Sequence, residues 1–345
     1  MKFGVGLPTG MEGLINPVPF FSAEHFMSAA RRAEELGYDS VWGNDHYAPQ
    51  HYVRTKYAAA PNFWEVLSIL TAVAAVTERV EIGTAVLVLP MRDIVTLARQ
   101  AATIDQLSGG RLLLGVGIGA YKEEYAAARP DLNGAHRGDM LDEGLALLAR
   151  LFTEPVVTHH GTYYHVEELE LEPKGVHSPV RMLVGGHQRR GIERAVRHGA
   201  GWIPGWRPLD ELGQWIGELR SAAAAAGRDP ANLTVAPQFS CLIGRDHTAT
   251  ERRYQDSGMV AHRKSLAFDG RDPARSMHNN LIGGFDEVLE RVHRLHDMGA
   301  DHLACTTLCV QTVDEWFEQL ELFAAEVMTP YRRAHGIPDP QARPS

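Results

Sequence analysis

The sequence predicts an α/β protein, a (β/α)8 TIM barrel with insertions at its C-terminal rim. Three observations predict it. Short β-branched runs alternate eight times with longer amphipathic ones from end to end. No Pro/Gly/Ser linker divides the 345 residues. The long connecting stretches follow strands, which is where such barrels carry their active-site loops. A doubly wound open sheet more often stops at five or six strands and adds a second lobe.

The candidate strands cover 2–7, 40–43, 80–87, 111–117, 180–184, 201–204, 233–243 and 301–306. The helical patterns that follow them cover 22–36, 62–77, 92–107, 136–152, 189–198, 209–226, 285–298 and 313–332. Ser22 can cap the first helix and Gly37 stop it. The second helix begins only after a long excursion from its strand. Glycines at 37, 199 and 299 recur between a helix and the next strand, a punctuation that suits a left-handed turn. Rim loops are expected at 8–21, 44–61, 118–135 and 244–284, and alternation from Val156 to Tyr164 suggests a hairpin within about 154–179, away from the rim. Residues 1–335 then form one barrel domain, with 336–345 as a tail.

Composition narrows the function classes. The 34 basic and 43 acidic side chains leave a formal charge of −9, too acidic for a general nucleic-acid binder. The opening MKFGVGLPTG lacks the marks of a signal peptide, and no window is apolar for long enough to span a membrane, so a soluble cytoplasmic protein is expected. Three cysteines, Cys241, Cys305 and Cys309, make no disulfide framework and read as small packed residues. Seventeen histidines invite a metal reading, but the first strand ends Gly6-Leu7-Pro8 without the paired histidines of a metal-dependent hydrolase barrel, and Asp301 precedes the last strand. No metal is expected.

Three segments carry chemistry. Asp45 and His46 close the second strand, and a histidine beside a carboxylate suits proton transfer or stabilisation of an anion, although it can equally brace a loop. Gly115, Gly117 and Gly119 after the fourth strand only mimic a dinucleotide fingerprint, which belongs to the first turn of a Rossmann unit; they let backbone approach backbone or a flat ligand. Gly185, Gly186, His187 and Gln188 lead from the fifth strand into a helix, with Arg189 and Arg190 following, which makes an anion site, most simply for a phosphate. The 244–284 loop, with Arg252, Arg253, His262, Arg263 and Lys264, reads as a lid or a solvated insertion. Among the rim aromatics, Tyr47, Tyr121 and Trp206 are candidates to line a substrate pocket, with core packing as the alternative.

Together the segments Ala33-Glu34-Glu35-Leu36-Gly37-Tyr38-Asp39 leading to Asp45-His46, Gly83-Thr84 leading to Ala98-Arg99-Gln100-Ala101-Ala102-Thr103-Ile104-Asp105-Gln106-Leu107-Ser108-Gly109-Gly110-Arg111, Leu114-Gly115-Val116-Gly117, Leu141-Asp142-Glu143-Gly144 and Val184-Gly185-Gly186 resemble the bacterial luciferase-like family of flavin- or deazaflavin-dependent oxidoreductases. The resemblance implies a three-ring cofactor over the barrel mouth. Its phosphate would lie at Gly186, His187 and Gln188, and a bulged, sometimes cis, peptide among Thr84, Ala85 and Val86 would lie behind the ring. His46 matches the family's catalytic histidine and Asp45 the residue beside it.

Two chemistries share that scaffold. With reduced FMN, supplied by a separate flavin reductase, the enzyme is a monooxygenase that inserts one oxygen of O2 into a small organic substrate, His46 orienting or protonating the oxygen species. With the deazaflavin coenzyme F-420 it moves a hydride, and His46 with Asp45 stabilises the substrate's charge. The resemblance places a carboxylate after the last glycine of the fourth-strand motif in the deazaflavin sugar dehydrogenases; Ala120 stands there and counts against that subgroup. The sequence reading favours the FMN monooxygenase, keeps the F-420 oxidoreductase as its alternative and a non-catalytic flavin-binding homologue as a remote one, and expects a homo-oligomer, dimer or tetramer.

Overall fold

A computed structural model describes residues 1–132, 134–205, 208–265 and 279–338. The strands are β1 (Lys2–Leu7), β2 (Ser40–Gly43), β3 (Glu81–Thr84), β4 (Leu87–Val88), β5 (Leu112–Gly117), β6 (Val157–His160), β7 (His165–Leu169), β8 (Met182–Gly186), β9 (Gly201–Pro204), β10 (Thr234–Val235), β11 (Ser240–Gly244), β12 (Leu281–Gly284) and β13 (His302–Leu308). Among the described residues, pairing runs β10-β9-β8-β5-β3-β2-β1-β13-β11-β12, with β4 beside β5. The run closes on itself, because β10 at one end and β11, next to the other end, are pieces of one strand broken around Pro237. The first piece pairs with β9 and the second with β13, and Ala304 N–H reaches Pro237 O at 3.0 Å across the break. The sheet is thereby closed as a barrel, as the strand count predicts.

Two departures from the predicted elements concern the rim. The third strand does not run through 80–87: it stops at Thr84, passes a cis Ala85–Val86 peptide and resumes as β4. The stretch 244–284 is not loop throughout. It holds helices His247–Gln255 and Gly258–Ser265, and β12 adds itself parallel to β11. Four residues that include Gly283 and Gly284 carry too little periodicity to read as a strand. The hairpin is present as the antiparallel pair β6/β7. Gly37 and Gly299 do adopt left-handed φ values of 83° and 93°. Gly199 does not; a Cβ there would come within 2.9 Å of Gly201 O, so that glycine is needed for space. Residues 339–345 of the expected tail lie outside the described residues. No helix among those described is long and apolar enough to cross a membrane.

The barrel interior is filled from its base. Trp42 is fully buried, and Gly4 and Gly83 leave the slots for its indole: a Cβ at either position would lie 2.4 Å or less from it. Trp42 Nε1–H donates to Ser40 Oγ at 2.6 Å, and Ser40 Oγ lies 2.6 Å from His302 Nε2. The indole donates to the serine hydroxyl, which keeps its own proton and a second lone pair with which to meet the neutral His302 ring. Burial, foremost, pushes His302 down to about 3.

The pH dependence of stability follows from that shift. A base with a lowered folded pKa binds fewer protons folded than unfolded, so stability is lost as pH falls through the unfolded value of about 6.5 towards 3. His302 alone is expected to cost roughly a tenfold loss in the folding equilibrium per pH unit inside that window. Urea unfolding at pH 7, 6 and 5 measures it, and a midpoint that stays constant would contradict a buried neutral His302.

Trp42 clusters with the small side chains Ala85, Ala236, Ala304 and Cys305, with Leu113, Leu183 and Ile203 beside them. This cluster gives the barrel interior an apolar floor. A cavity of about 470 Å³ opens at the opposite end, around Lys2, Glu81, Arg111 and Arg181. Glu81 holds Lys2 at 2.7 Å and Arg181 at 2.8 Å there, at the strand N-termini and away from the rim loops.

Candidate active site

The interrupted third strand organises the mouth. Thr84 Oγ1 donates to Gly115 O at 2.7 Å, and β4 pairs with Val116 and Gly117. A Cβ at Gly115 would fall 1.9 Å from Thr84 O, and one at Gly117 or Gly185 would fall within 2.8 Å of a Val86 methyl. Gly119, at φ 73°, is closed off in the same way by Val88. Of the two uses open to these glycines, close approach of backbone to the Thr84–Val86 bulge is the one that the contacts display.

Asp45 and His46 leave the end of β2 but do not act as a pair. Asp45, buried, accepts from Val88 N–H at 2.9 Å and from Arg92 Nη2 at 2.8 Å. Arg92 is itself nearly buried and also holds Glu65 at 2.9 Å. Against the burial that lowers it, the Asp45 carboxylate raises the Arg92 pKa. Asp45 thus fastens β4 and the start of the following helix.

The carboxylate that meets His46 is Glu124. Its Oε1 lies 2.8 Å from His46 Nδ1, with the glutamate side chain 2% exposed and the imidazole 15%. Glu124 sits in the helix Lys122–Ala128, inside the rim loop after β5. Its neighbour Glu123 accepts from His51 N–H at 2.7 Å, so this acidic pair holds the rim loop after β2 at two points. The only sequence signal is the Glu123-Glu124 doublet, three and four residues past the position where Ala120 lacks a carboxylate.

The imidazole of His46 packs 5.6 Å from the Tyr121 ring and 6.0 Å from Phe63. Tyr121 continues outward: its hydroxyl is 2.8 Å from His262 Nε2, and the other ring nitrogen of His262 is 2.5 Å from Tyr52 OH. Burial, with His46 and Arg263 acting in the same direction, pushes His262 down to about 4. The neutral ring bridges the two tyrosines, accepting from one and donating to the other. Tyr47 turns instead into a cluster with Val88, Met91 and Tyr125, where burial raises its pKa and Arg92 lies 5.6 Å from its ring. Trp206, the third aromatic candidate, lies outside the described residues.

At the end of β8, Gly186, His187 and Gln188 lead into the helix Arg189–His198. Gly186 packs against Gly191, where a Cβ on either would come to 3.1 Å, and Gln188 makes no side-chain capping bond. Gln188 thus leaves the first-turn N–H groups without a cap from its own side chain. Arg190 is held by Asp139 at 2.8 Å and Asp142 at 3.0 Å, and exposed Arg189 lies 3.9 Å from Glu193, so both arginines that follow the turn have carboxylate partners.

A planar three-ring cofactor with a phosphate tail fits this arrangement. The small side chains of the floor could seat a flat ring, and the helix N-terminus after β8 could offer N–H donors to an anion. Among the described residues no three His, Cys, Asp or Glu side chains are grouped as a metal site would require.

Comparison with known proteins agrees with the fold. A family model for luciferase-like monooxygenases matches residues 1–302. An F420-dependent glucose-6-phosphate dehydrogenase of Intrasporangium calvum is 33% identical over 282 residues, which is 80% of this chain and 75% of that protein. An F420-dependent hydroxymycolic acid dehydrogenase of Mycobacterium tuberculosis is 28% identical over 231 residues, 66% of this chain and 62% of that one. The crystal structure of a monooxygenase from Streptomyces bottropensis superposes with a TM-score of 0.77 at 23% identity, over 96% of this chain and all of its own.

Proposed function

The chain belongs to the luciferase-like monooxygenase family and is an oxidoreductase, and from that premise we propose that it is a deazaflavin (F-420)-dependent enzyme that oxidises an alcohol. The buried His46–Glu124 contact at the barrel mouth carries the proposal. Removing hydride from a carbinol carbon requires its hydroxyl proton to leave as well, and a histidine backed by a carboxylate is a fitting base. Glu124 fixes the proton on Nδ1 and leaves Nε2 as the basic nitrogen; once Nε2 has taken the proton, the same carboxylate stabilises the imidazolium.

When bound, the coenzyme supplies the hydride acceptor. The chain's own residues do the rest. Ala85, Ala304 and Cys305 would form the floor under its ring, and Gly186, His187 and Gln188 would hold its phosphate. Asp45, through Arg92 and Val88, holds the Thr84–Val86 bulge in place and has no part in proton transfer. Support for F-420 over FMN comes from the two relatives named above, both of them F420-dependent dehydrogenases matched over most of this chain.

Reduced FMN, the cofactor that the sequence alone favours, remains the second reading, on the ground that Ala120 replaces the carboxylate expected of the deazaflavin sugar dehydrogenases. Fluorescence titration of the purified protein with F-420 and with FMN, each oxidised and reduced, separates the two. Micromolar or tighter binding of F-420 is the expected result, and binding of FMN alone would overturn the proposal.

A further inference from the structure

His262 belongs to the helix Gly258–Ser265, in the stretch after β11 that the sequence leaves as a lid or a solvated insertion. The helix is firmly seated. Met259, Val260 and His262 are buried. A Cβ at Gly258 would fall 2.0 Å from Ile15 O, so the first turn rests on the loop after β1 and needs a glycine there. Arg263 Nη2 donates to Ser240 Oγ at 3.0 Å, which fastens the same helix to β11. The imidazole of His262 thus meets its two tyrosines from a fixed support.

His46 is held at one point by Glu124, whose Oε1 meets Nδ1. A ring held at one point still turns about it, so packing has to complete its orientation. Gly10 packs against one side, where a Cβ would come within 2.9 Å of His46 Cβ and 3.1 Å of Cδ2. Of the two aromatic rings beside the imidazole, Tyr121 is the nearer, 5.6 Å away and inclined by 34°. Tyr121 stands at the N-cap of the helix Lys122–Ala128, but its side chain makes no capping bond to that helix. The phenol is anchored at its far end instead, where its hydroxyl lies 2.8 Å from His262 Nε2. Tyr52, 2.5 Å from the other ring nitrogen, ties the same imidazole to the helix His51–Lys56.

We propose that His262 is a positioning residue for His46: by holding the Tyr121 hydroxyl it keeps the phenol ring against the imidazole, and so keeps Nε2 of His46 turned towards the substrate. The insertion after β11 is then a brace of the site, neither a lid nor a solvated decoration. His262 exchanges no proton with the substrate, and its part is orientation alone. A misplacement of about 1 Å costs roughly 10²-fold in rate at the worst, so a loosened imidazole shows in turnover before it shows in binding. The inference rests on the reading of His46 as the base.

Three variants test it. Tyr121→Phe keeps the ring and removes its tie, His262→Phe removes the tie from the other end, and His262→Gln keeps one donor and one acceptor. Spectra of the protein without cofactor come first. The 1H–13C signals of the His46 ring, identified by their absence in His46→Ala, are displaced in wild type by the aromatic rings beside it. Tyr121→Phe and His262→Phe should each move them towards the positions of a free histidine, and His262→Gln should leave them near wild type. With F-420 and 2-propanol, kcat should fall roughly 10-fold in each phenylalanine variant while KM changes by no more than about twofold. The double variant Tyr121→Phe/His262→Phe should be no worse than the poorer single one, because both substitutions cut the same tie.

His46 signals that stay in place in both phenylalanine variants would overturn the proposal, whatever happens to turnover. So would losses that simply add in the double variant, since the two residues would then act separately. If His262→Phe does not fold, Tyr121→Phe against His262→Gln makes the same comparison, and equal His46 signals in the two would overturn the proposal as well. Absence of all turnover with F-420, with the His46 signals moving as described, would remove the hydride reading and leave the positioning role of His262 standing.

Discussion

His46→Ala is expected to lower turnover by roughly 10² or more, the usual cost of losing a positioned acid or base, while the cofactor's dissociation constant changes by no more than about twofold. The two quantities separate because His46 lies against Tyr121 and Phe63 on the rim, whereas the small-residue floor and the Gly186–Gln188 turn belong to other segments. Glu124→Gln sharpens the test. The amide oxygen can still accept from Nδ1, so the ring stays oriented, but no charge remains to stabilise the imidazolium. A drop of about tenfold in kcat with little change in KM is expected. Steady-state kinetics with F-420 and a fluorescence titration of each variant measure both. Unchanged turnover in His46→Ala would remove the imidazole from the mechanism, and unchanged turnover in Glu124→Gln would reduce the carboxylate to a prop.

Asp45→Ala is expected to act on stability before chemistry. Arg92 is 10% exposed, and removing its main counter-charge leaves a guanidinium in a poorly solvated place. Breaking such a pair costs about 3–5 kcal/mol, with the lower end expected here because Glu65 still reaches Arg92. Val88 N–H also loses its acceptor, so the segment after the bulge loosens. Asp45→Asn keeps an acceptor for Val88 and should cost less. Urea unfolding of the two variants gives the comparison. An Asp45→Ala protein as stable as wild type, with turnover lost, would return Asp45 to the catalytic role that its position beside His46 suggests.

The barrel was legible because its signals are local. Alternation of periods, capping residues such as Ser22 and glycines such as Gly37 and Gly299 each specify their element within a few residues. His46 was legible for the same reason, since a strand end projects its last side chains onto the rim. The partners of His46 were not. Glu124 is 78 residues away, and His262 reaches Tyr121 across 141 residues and Tyr52 across 210, so their meeting depends on how separate rim loops fold over the mouth. Adjacency in sequence even misdirects: Asp45 stands next to His46 and serves Arg92 instead. The broken third strand was readable only through family resemblance, since nothing in Thr84-Ala85-Val86 itself interrupts a β-branched run.

The place of β1 in the sheet has a consequence for biosynthesis. It lies between β2 and β13, with Lys2 opposite His302 and Phe3 opposite Leu303. A ribosome delivering this chain releases the first strand some three hundred residues before its second neighbour exists. Throughout that interval one edge of β1 offers unpaired N–H and C=O groups. Formation of the β1–β13 ladder has high contact order and is a late step of folding. A nascent chain stalled before residue 302 therefore carries His46, Glu124 and the turn after β8 but an unclosed sheet, and it is the form of this protein most in need of a chaperone.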